Sequence, residues 1–128
     1  MVNALRKDGW TVTHDPLKVG WRGRRLKVDL GAEKLLAAER DTEKIAVEIK
    51  SFIGASEMAD LYLALGQFIL YRKALRRVEP ERKLYLALDT VAYQENFGDD
   101  EGEALRAEED IKLIVFDQET EEIVKWKQ

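Results

Sequence analysis

Residues 44–51 (KIAVEIKS) place a carboxylate and an ammonium two positions apart in an otherwise apolar stretch. Isoleucine or valine recurs at every second position, the period of a β-strand with one buried face. Glu48 and Lys50 therefore share the other face and lie side by side. A carboxylate and an ammonium so arranged could hold a metal ion and a water molecule beside a phosphate, which is the chemistry of a nuclease.

A second carboxylate is predicted on a neighbouring strand. Residues 26–30 (LKVDL) alternate in the same way, which places Asp29 opposite the apolar side of that strand. If the two strands pair antiparallel, Asp29 and Glu48 could both bind Mg²⁺, because this ion prefers oxygen ligands. Mn²⁺ could substitute for Mg²⁺ at such a site. Lys50 would then orient or deprotonate the attacking water.

The helix predicted after this strand adds two polar residues. From Met58 to about Leu75 the chain is apolar on most sides, which predicts a helix packed against a sheet. Gln67 and Tyr71 interrupt this apolar character four residues apart, so they lie on one helix face. They could shape a site around Lys50, or they could simply satisfy buried polar groups.

The remaining pattern predicts one mixed α/β domain over residues 1–128. Residues 34–39 are compatible with either a strand or a short helix. Residues 17–25 form a basic loop or hairpin, whose arginines could bind phosphates or simply face solvent. The other predicted elements are a helix at 3–8, strands at 10–14, 83–88, 111–116 and 123–126, and a partly helical segment at 90–110.

Composition and charge limit the classes of function. No apolar run approaches the ~20 residues of a membrane helix, no secretory signal is evident, and the chain has no cysteine, so we expect a cytoplasmic protein without disulfides or a thiolate site. The net charge is −4, but residues 1–50 carry 11 Lys or Arg against 8 Asp or Glu, whereas residues 88–128 carry 4 against 13. The candidate site lies in the basic part, so the acidic total does not exclude DNA.

Taken together, Asp29, Glu48-x-Lys50 and Gln67-x-x-x-Tyr71 resemble the PD-(D/E)xK nuclease superfamily, in the subgroup with a Q-x-x-x-Y helix. Within it, four segments resemble the XisH family, which is named for control of fdxN element excision. These segments are residues 8–16 (DGWTVTHDP), 28–33 (VDLGAE), 45–52 (IAVEIKSF) and 64–71 (ALGQFILY).

The resemblance implies a restriction-endonuclease-like fold, a mixed sheet flanked by helices. It also implies a Mg²⁺-dependent endonuclease-like activity on DNA and a companion protein similar to XisI, and it leaves a homodimer open. Two departures stand beside it. Superfamily members often carry an acid in the first helix, whereas this chain has none before Asp8, and XisH-like chains usually have a longer N-terminal helix. The interval from Asp29 to Glu48 is also long for the motif, which leaves open whether Glu33 replaces Asp29 or Glu48 as a ligand.

Two hypotheses follow. In the first, the protein is an endonuclease-like enzyme of DNA rearrangement in which Asp29 and Glu48 bind metal, Lys50 serves the water, and Gln67 and Tyr71 shape the site. In the second, it is a non-catalytic regulator that keeps the nuclease fold and acts by binding a partner protein. A charged pair on a strand is by itself more often a solvated face than a site. Convergence of the three charged groups in one cleft would favour the first hypothesis.

Overall fold

The structure, a computed structural model, describes residues 1–25, 34–50 and 57–128. Within these ranges the chain alternates between helices and strands, as a mixed α/β fold requires. In chain order the elements are α1 (Val2–Lys7), β1 (Thr11–His14), β2 (Gly20–Trp21), β3 (Arg24–Arg25), β4 (Lys34–Arg40), β5 (Glu43–Ile49), α2 (Glu57–Val78), β6 (Arg82–Asp89), α3 (Thr90–Phe97), α4 (Asp100–Glu108), β7 (Leu113–Asp117) and β8 (Glu122–Lys127).

Six strands form one mixed sheet in the order β1-β4-β5-β6-β7-β8. The three central strands β5, β6 and β7 run parallel, and the outer pairs are antiparallel. The short strands β2 and β3 form a separate hairpin. The strand that carries the candidate residues, β5, is therefore interior to the sheet, with a neighbour on each side.

Helices cover one face of this sheet because of its parallel centre. Helix α2 connects β5 to β6, and α3 and α4 connect β6 to β7, so both connections move to the next strand on the same side. Crossover connections between parallel strands are right-handed, and the helices of both connections therefore lie on the same face of the sheet. Phe68 of α2 and Phe97 of α3 are buried there with Leu86 and Leu113 of the sheet. The apolar face of α2 therefore closes over β5 and β6.

The opposite face is also apolar. Leu5 of α1 packs there with Ile45 and Val47 of β5, and Trp10, Tyr85 and Trp126 complete the cluster. Trp126 lies 5.1 Å edge-on to Tyr85 and 5.8 Å from Trp10, measured between ring centroids. Both faces of β5 are thus covered, and the prediction that this strand has a single buried face was wrong.

The mixed α/β architecture predicted from the sequence is confirmed, with a six-stranded sheet flanked by helices. Residues 34–39, which the pattern left undecided, are a strand because β4 pairs with both β1 and β5. The basic segment at 17–25 contains the β2–β3 hairpin. The strand predicted at 26–30 lies outside the described residues. Among the described helices, none is both long and apolar enough to cross a membrane.

Candidate active site

Glu48 lies near the carboxyl end of β5, in the middle of the sheet. It is opposite Leu35 of β4 and Leu86 of β6 in the strand register. Two residues before it, Ala46 belongs to the cluster under α2, so the strand alternation points Glu48 toward the same helix. Its side chain is enclosed rather than solvated, with 1% of the residue exposed.

The environment of this carboxylate is unfavourable for a charge. Neither carboxylate oxygen of Glu48 has a hydrogen-bond partner among the described residues. Burial removes water from the charged form, and this desolvation raises the pKa of Glu48 from 4.5 to about 8. Buried polar groups are almost always paired, so an enclosed carboxylate without a donor needs a reason. A bound cation would satisfy both oxygens.

Lys50 directly follows β5 and is also buried, with 4% exposed. Its backbone N–H donates a hydrogen bond of 3.2 Å to the carbonyl of Ala87, which continues the pairing with β6. Its ammonium donates a hydrogen bond of 2.9 Å to the side-chain amide oxygen of Gln67. An ammonium group is therefore held under α2, two residues along the chain from the unpaired carboxylate.

Helix α2 supplies the other two predicted residues. Its buried positions recur at the helical spacing, from Ala64 through Phe68 and Tyr71 to Leu75, and this face packs on the sheet. Gln67 lies on the edge of the same face and is half-buried. Tyr71, one turn later, is 2% exposed within the cluster that also contains Ala46. The structure therefore brings Glu48, Lys50, Gln67 and Tyr71 into one layer between sheet and helix.

The predicted second carboxylate is not tested by the structure, because Asp29 and its alternative Glu33 lie outside the described residues. Within the described part of the chain, no three His, Asp or Glu side chains gather in a way that could hold a metal ion. Asp8 contributes nothing to this site. Its carboxylate lies 3.3 Å from Arg40 and accepts a hydrogen bond from Trp10, a residue of the cluster on the opposite face of the sheet.

Fit to a divalent cation can be tested on Glu48 itself. A hard cation such as Mg²⁺ takes oxygen ligands and commonly uses one or two protein carboxylates. Glu48 offers two oxygens that no described donor occupies, in a dry position two residues along the chain from the buried Lys50. The donor chemistry fits Mg²⁺, with Asp29 as the predicted second ligand.

Sequence reasoning missed one buried charged residue, Arg82 at the start of β6. Its guanidinium donates to the carbonyl of Ile45 at 2.9 Å and pairs with Glu79 at 2.9 Å and Glu39 at 3.5 Å. This cluster ties β4, β5 and β6 together near the start of β5, away from Glu48. The i,i+3 spacing of Glu79 and Arg82 was the available signal, but it does not show burial.

A family model described as "XisH protein" matches residues 1–124 of the chain. The chain belongs to the XisH family. A crystal structure of an XisH family protein from Nostoc punctiforme PCC 73102 is 46% identical in sequence. It superposes with a TM-score of 0.87 over 98% of this chain and 93% of that one. A second crystal structure, of an fdxN element excision controlling factor protein from Anabaena variabilis, is 45% identical. Its TM-score is also 0.87, over 98% of this chain and 92% of that one.

No match was found among proteins with curated functions. Family membership therefore rests on the XisH model and on the two XisH-type crystal structures. The likeness extends over nearly the whole chain, so β5 and α2, which carry the four described candidate residues, both lie within it.

Proposed function

We propose that this XisH-family protein is a Mg²⁺-dependent, endonuclease-like protein that acts on DNA during excision of a genetic element, as the name of the Anabaena variabilis protein suggests for that relative. One observation carries the proposal. The Glu48 carboxylate is buried under α2 with neither oxygen hydrogen-bonded to a described residue, two positions from a buried ammonium. A structural carboxylate would be expected to have donors around it.

The protein's own residues have separate roles in this proposal. Glu48 and Asp29 would hold the cation. Lys50, fixed by Gln67, would orient the attacking water and stabilise the negative charge that develops on the phosphate. When bound, Mg²⁺ supplies a positive charge that neutralises the scissile phosphate and lowers the pKa of a coordinated water. Tyr71 would complete the wall of the site from α2.

The resemblance of the motif to the PD-(D/E)xK superfamily supports the same assignment. The order Asp29, Glu48, Lys50 and then Gln67 and Tyr71 matches the Q-x-x-x-Y subgroup. The structure adds a contact between the two halves of that motif, since Lys50 of the strand end and Gln67 of the helix are hydrogen-bonded across 17 positions of sequence. Nothing in a solvated strand face requires such a contact.

The test combines metal binding with cleavage. Wild-type protein would be titrated with Mn²⁺ by calorimetry and incubated with duplex, single-stranded and branched DNA in Mg²⁺ or Mn²⁺. We expect Glu48→Gln and Asp29→Asn to lose metal binding, and Lys50→Ala to lose cleavage while it keeps metal binding. Glu95→Gln on α3 and Lys125→Ala on β8 are matched controls, because both residues are exposed. Absence of metal-dependent cleavage on all three DNA types, with Glu48→Gln binding metal as wild type does, would contradict the proposal.

A non-catalytic regulator is the second candidate, and one observation favours it. The described part of helix α2 exposes four large apolar side chains, Tyr62, Leu63, Ile69 and Val78, with 66%, 40%, 36% and 68% of each residue exposed. Exposed apolar side chains on one helix suit a protein partner, and the family resemblance implies one similar to XisI. If the protein is such a regulator, Lys50→Ala should support excision in cells as wild type does. The double variant Tyr62→Ser and Ile69→Ser should not support excision. The nuclease proposal expects Lys50→Ala to fail.

A further inference from the structure

A second feature of the molecule lies away from Glu48, at the carboxyl end of α2. The β2–β3 hairpin turns through Arg22 and Gly23, with Gly20 paired to Arg25 and Trp21 to Arg24. Both turn residues have positive φ, 53° for Arg22 and 75° for Gly23, as a two-residue hairpin turn of the primed type requires. Asparagine, aspartate or glycine is usual at such a position, yet this hairpin presents an arginine at its tip.

The hairpin docks on the last turns of α2. The guanidinium carbon of Arg77 lies 5.7 Å from the ring centroid of Trp21, a cation–π contact across 56 positions of sequence. Between the two elements is an open cavity of about 450 Å³, lined by Trp21 and Arg22 of the hairpin and by Arg77 and Val78 of the helix. The tip arginine and the end of the helix therefore border one concave surface.

Further cations extend this surface around the helix. Lys73 lies about one turn before Arg77 and Arg76 immediately precedes it, and both are exposed. Arg72 and Arg76 border a second cavity of about 160 Å³, together with Lys83 of β6 and with Lys112, which pairs with Asp110 of the same lining at 3.4 Å. The sequence itself has no acidic residue at 17–25 or at 61–78, although these segments contain eight Lys or Arg. We call the surface formed by Arg22, Lys73, Arg76 and Arg77 the basic surface.

These four cations lie close together at one end of α2, and the described residues place no carboxylate in an ion pair with any of them. Elsewhere Arg40 pairs with Asp8, Arg82 with Glu79, and Arg106 with Glu103. A protein with a net charge of −4 thus places a group of cations together at one end of one helix. Such a group creates a local positive field that attracts a polyanion.

We infer that the basic surface binds the phosphate backbone of duplex DNA, at a position distinct from the Glu48 site. Guanidinium groups are suited to phosphate oxygens because they present several donors in one plane. From Lys73 to Arg77 the helix axis advances about 6 Å, close to the axial rise of about 7 Å over two phosphate steps of one strand. The hairpin tip would reach the other side of the same groove. This inference rests on DNA as the partner in the proposed function, but not on catalysis.

The experiment measures DNA binding by fluorescence anisotropy, with a labelled duplex of mixed sequence, in EDTA and over a series of NaCl concentrations. The test variant is Arg22→Asn, Arg76→Ala and Arg77→Ala together, in which asparagine keeps the positive φ of the turn. Loss of three phosphate contacts would lower the slope of log K against log salt by about 2 to 3 and weaken binding roughly tenfold or more at 100 mM salt. Replacement of all three residues by lysine should retain most of the affinity.

The control variant removes three positive charges from exposed positions elsewhere, as Arg6→Ala, Lys7→Ala and Lys125→Ala on α1 and β8. It should bind DNA nearly as wild type does. Equal binding by wild type and the test variant, with both folded by circular dichroism, overturns the inference. The inference is also overturned if the wild-type protein does not bind DNA but self-associates through these arginines. Sedimentation in the absence of DNA would reveal such self-association. Weakened binding by the test variant with no cleavage by wild type would support the basic surface and refute only the nuclease proposal.

Discussion

The ammonium of Lys50 and the side-chain amide of Gln67 are joined by a hydrogen bond of 2.9 Å that connects the end of β5 to the middle of α2. Lys50 is 4% exposed and has several rotatable bonds, so its position in a dry site depends on such partners. The amide oxygen accepts the bond without adding a charge of its own to the site.

Removal of the Gln67 side-chain amide should leave the Lys50 ammonium less firmly positioned. Gln67→Ala deletes an acceptor for a buried ammonium, so we expect a loss of about 2 kcal/mol in the free energy of unfolding and a larger relative loss of cleavage. Chemical denaturation and single-turnover cleavage measure the two effects. Gln94→Ala, at an exposed position of α3, is the matched control and should change neither. Wild-type cleavage by Gln67→Ala would show that the contact only stabilises the fold.

The raised pKa of Glu48 predicts an unusual pH dependence of stability in the metal-free protein. The pKa is about 8 in the folded protein and 4.5 as the ordinary value, so between these values the folded form retains a proton that the unfolded form has lost. Stability therefore falls as the pH rises from about 4.5 to about 8 and is unaffected by this group above that range. Glu48→Gln should remove this component, so the difference between the two proteins isolates it.

Urea denaturation at closely spaced pH values, with EDTA present, checks this prediction. A difference between wild type and Glu48→Gln that stays constant from pH 4.5 to 8 would mean that donors outside the described residues already satisfy the carboxylate. Added Mn²⁺ should reverse the trend for wild type, because a cation binds the ionised carboxylate and so gains affinity as the pH rises.

Two substitutions of Tyr71 can distinguish a role in packing from a role in cleavage. Its ring is in the core between α2 and the sheet, so Tyr71→Ala should cost about 3 to 5 kcal/mol of stability, as for other buried aromatic residues. Tyr71→Phe keeps the ring and should cost about 1 kcal/mol or less. If the hydroxyl shapes the site, Tyr71→Phe will reduce cleavage at nearly unchanged melting temperature. Full activity in Tyr71→Phe would restrict this residue to packing.

Arg82 provides the contrasting case of a buried charge with a structural role. Its side chain is held by Glu79, Glu39 and the carbonyl of Ile45, and the hydrogen bond from Arg82 is the main cause that lowers the pKa of Glu79. Arg82→Ala removes a buried guanidinium but leaves carboxylates that are about a third exposed, so it should destabilise the protein by about 2 to 3 kcal/mol, less than the loss of a fully buried pair. Thermal unfolding measures the loss.

The exposed neighbour Lys83→Ala is the control for Arg82, and its effect should stay within about 0.5 kcal/mol. At a temperature where both Arg82→Ala and wild type are folded, their metal binding should agree. Reduced Mn²⁺ affinity in a folded Arg82→Ala protein would show that the cluster also acts on the Glu48 site.

Local pattern was sufficient for much of the fold and for part of the site. Alternation predicted β5, and helical periodicity predicted α2. A spacing of two residues placed Glu48 and Lys50 on one strand face, and a spacing of four placed Gln67 and Tyr71 on one helix face. These relations could be predicted because they depend only on backbone geometry within one element. The pattern could not assign residues 34–39. Pairing with both β1 and β5 makes this segment a strand, and its apolar positions do not alternate because both of its sides are buried.

What the sequence determined by itself is therefore most of the described elements, including β5 and α2, the residues that share a face within them, and the resemblance to the XisH family that the family model and the crystal structures confirm. Only the tertiary structure decided that Glu48 is enclosed without a described donor, that Lys50 meets Gln67, and that Trp21 meets Arg77. The physical reason is the sequence distance over which each interaction acts. Alternation shows which side of a strand a residue occupies, whereas the burial and the partners of that residue depend on elements that pack against it from distant parts of the chain.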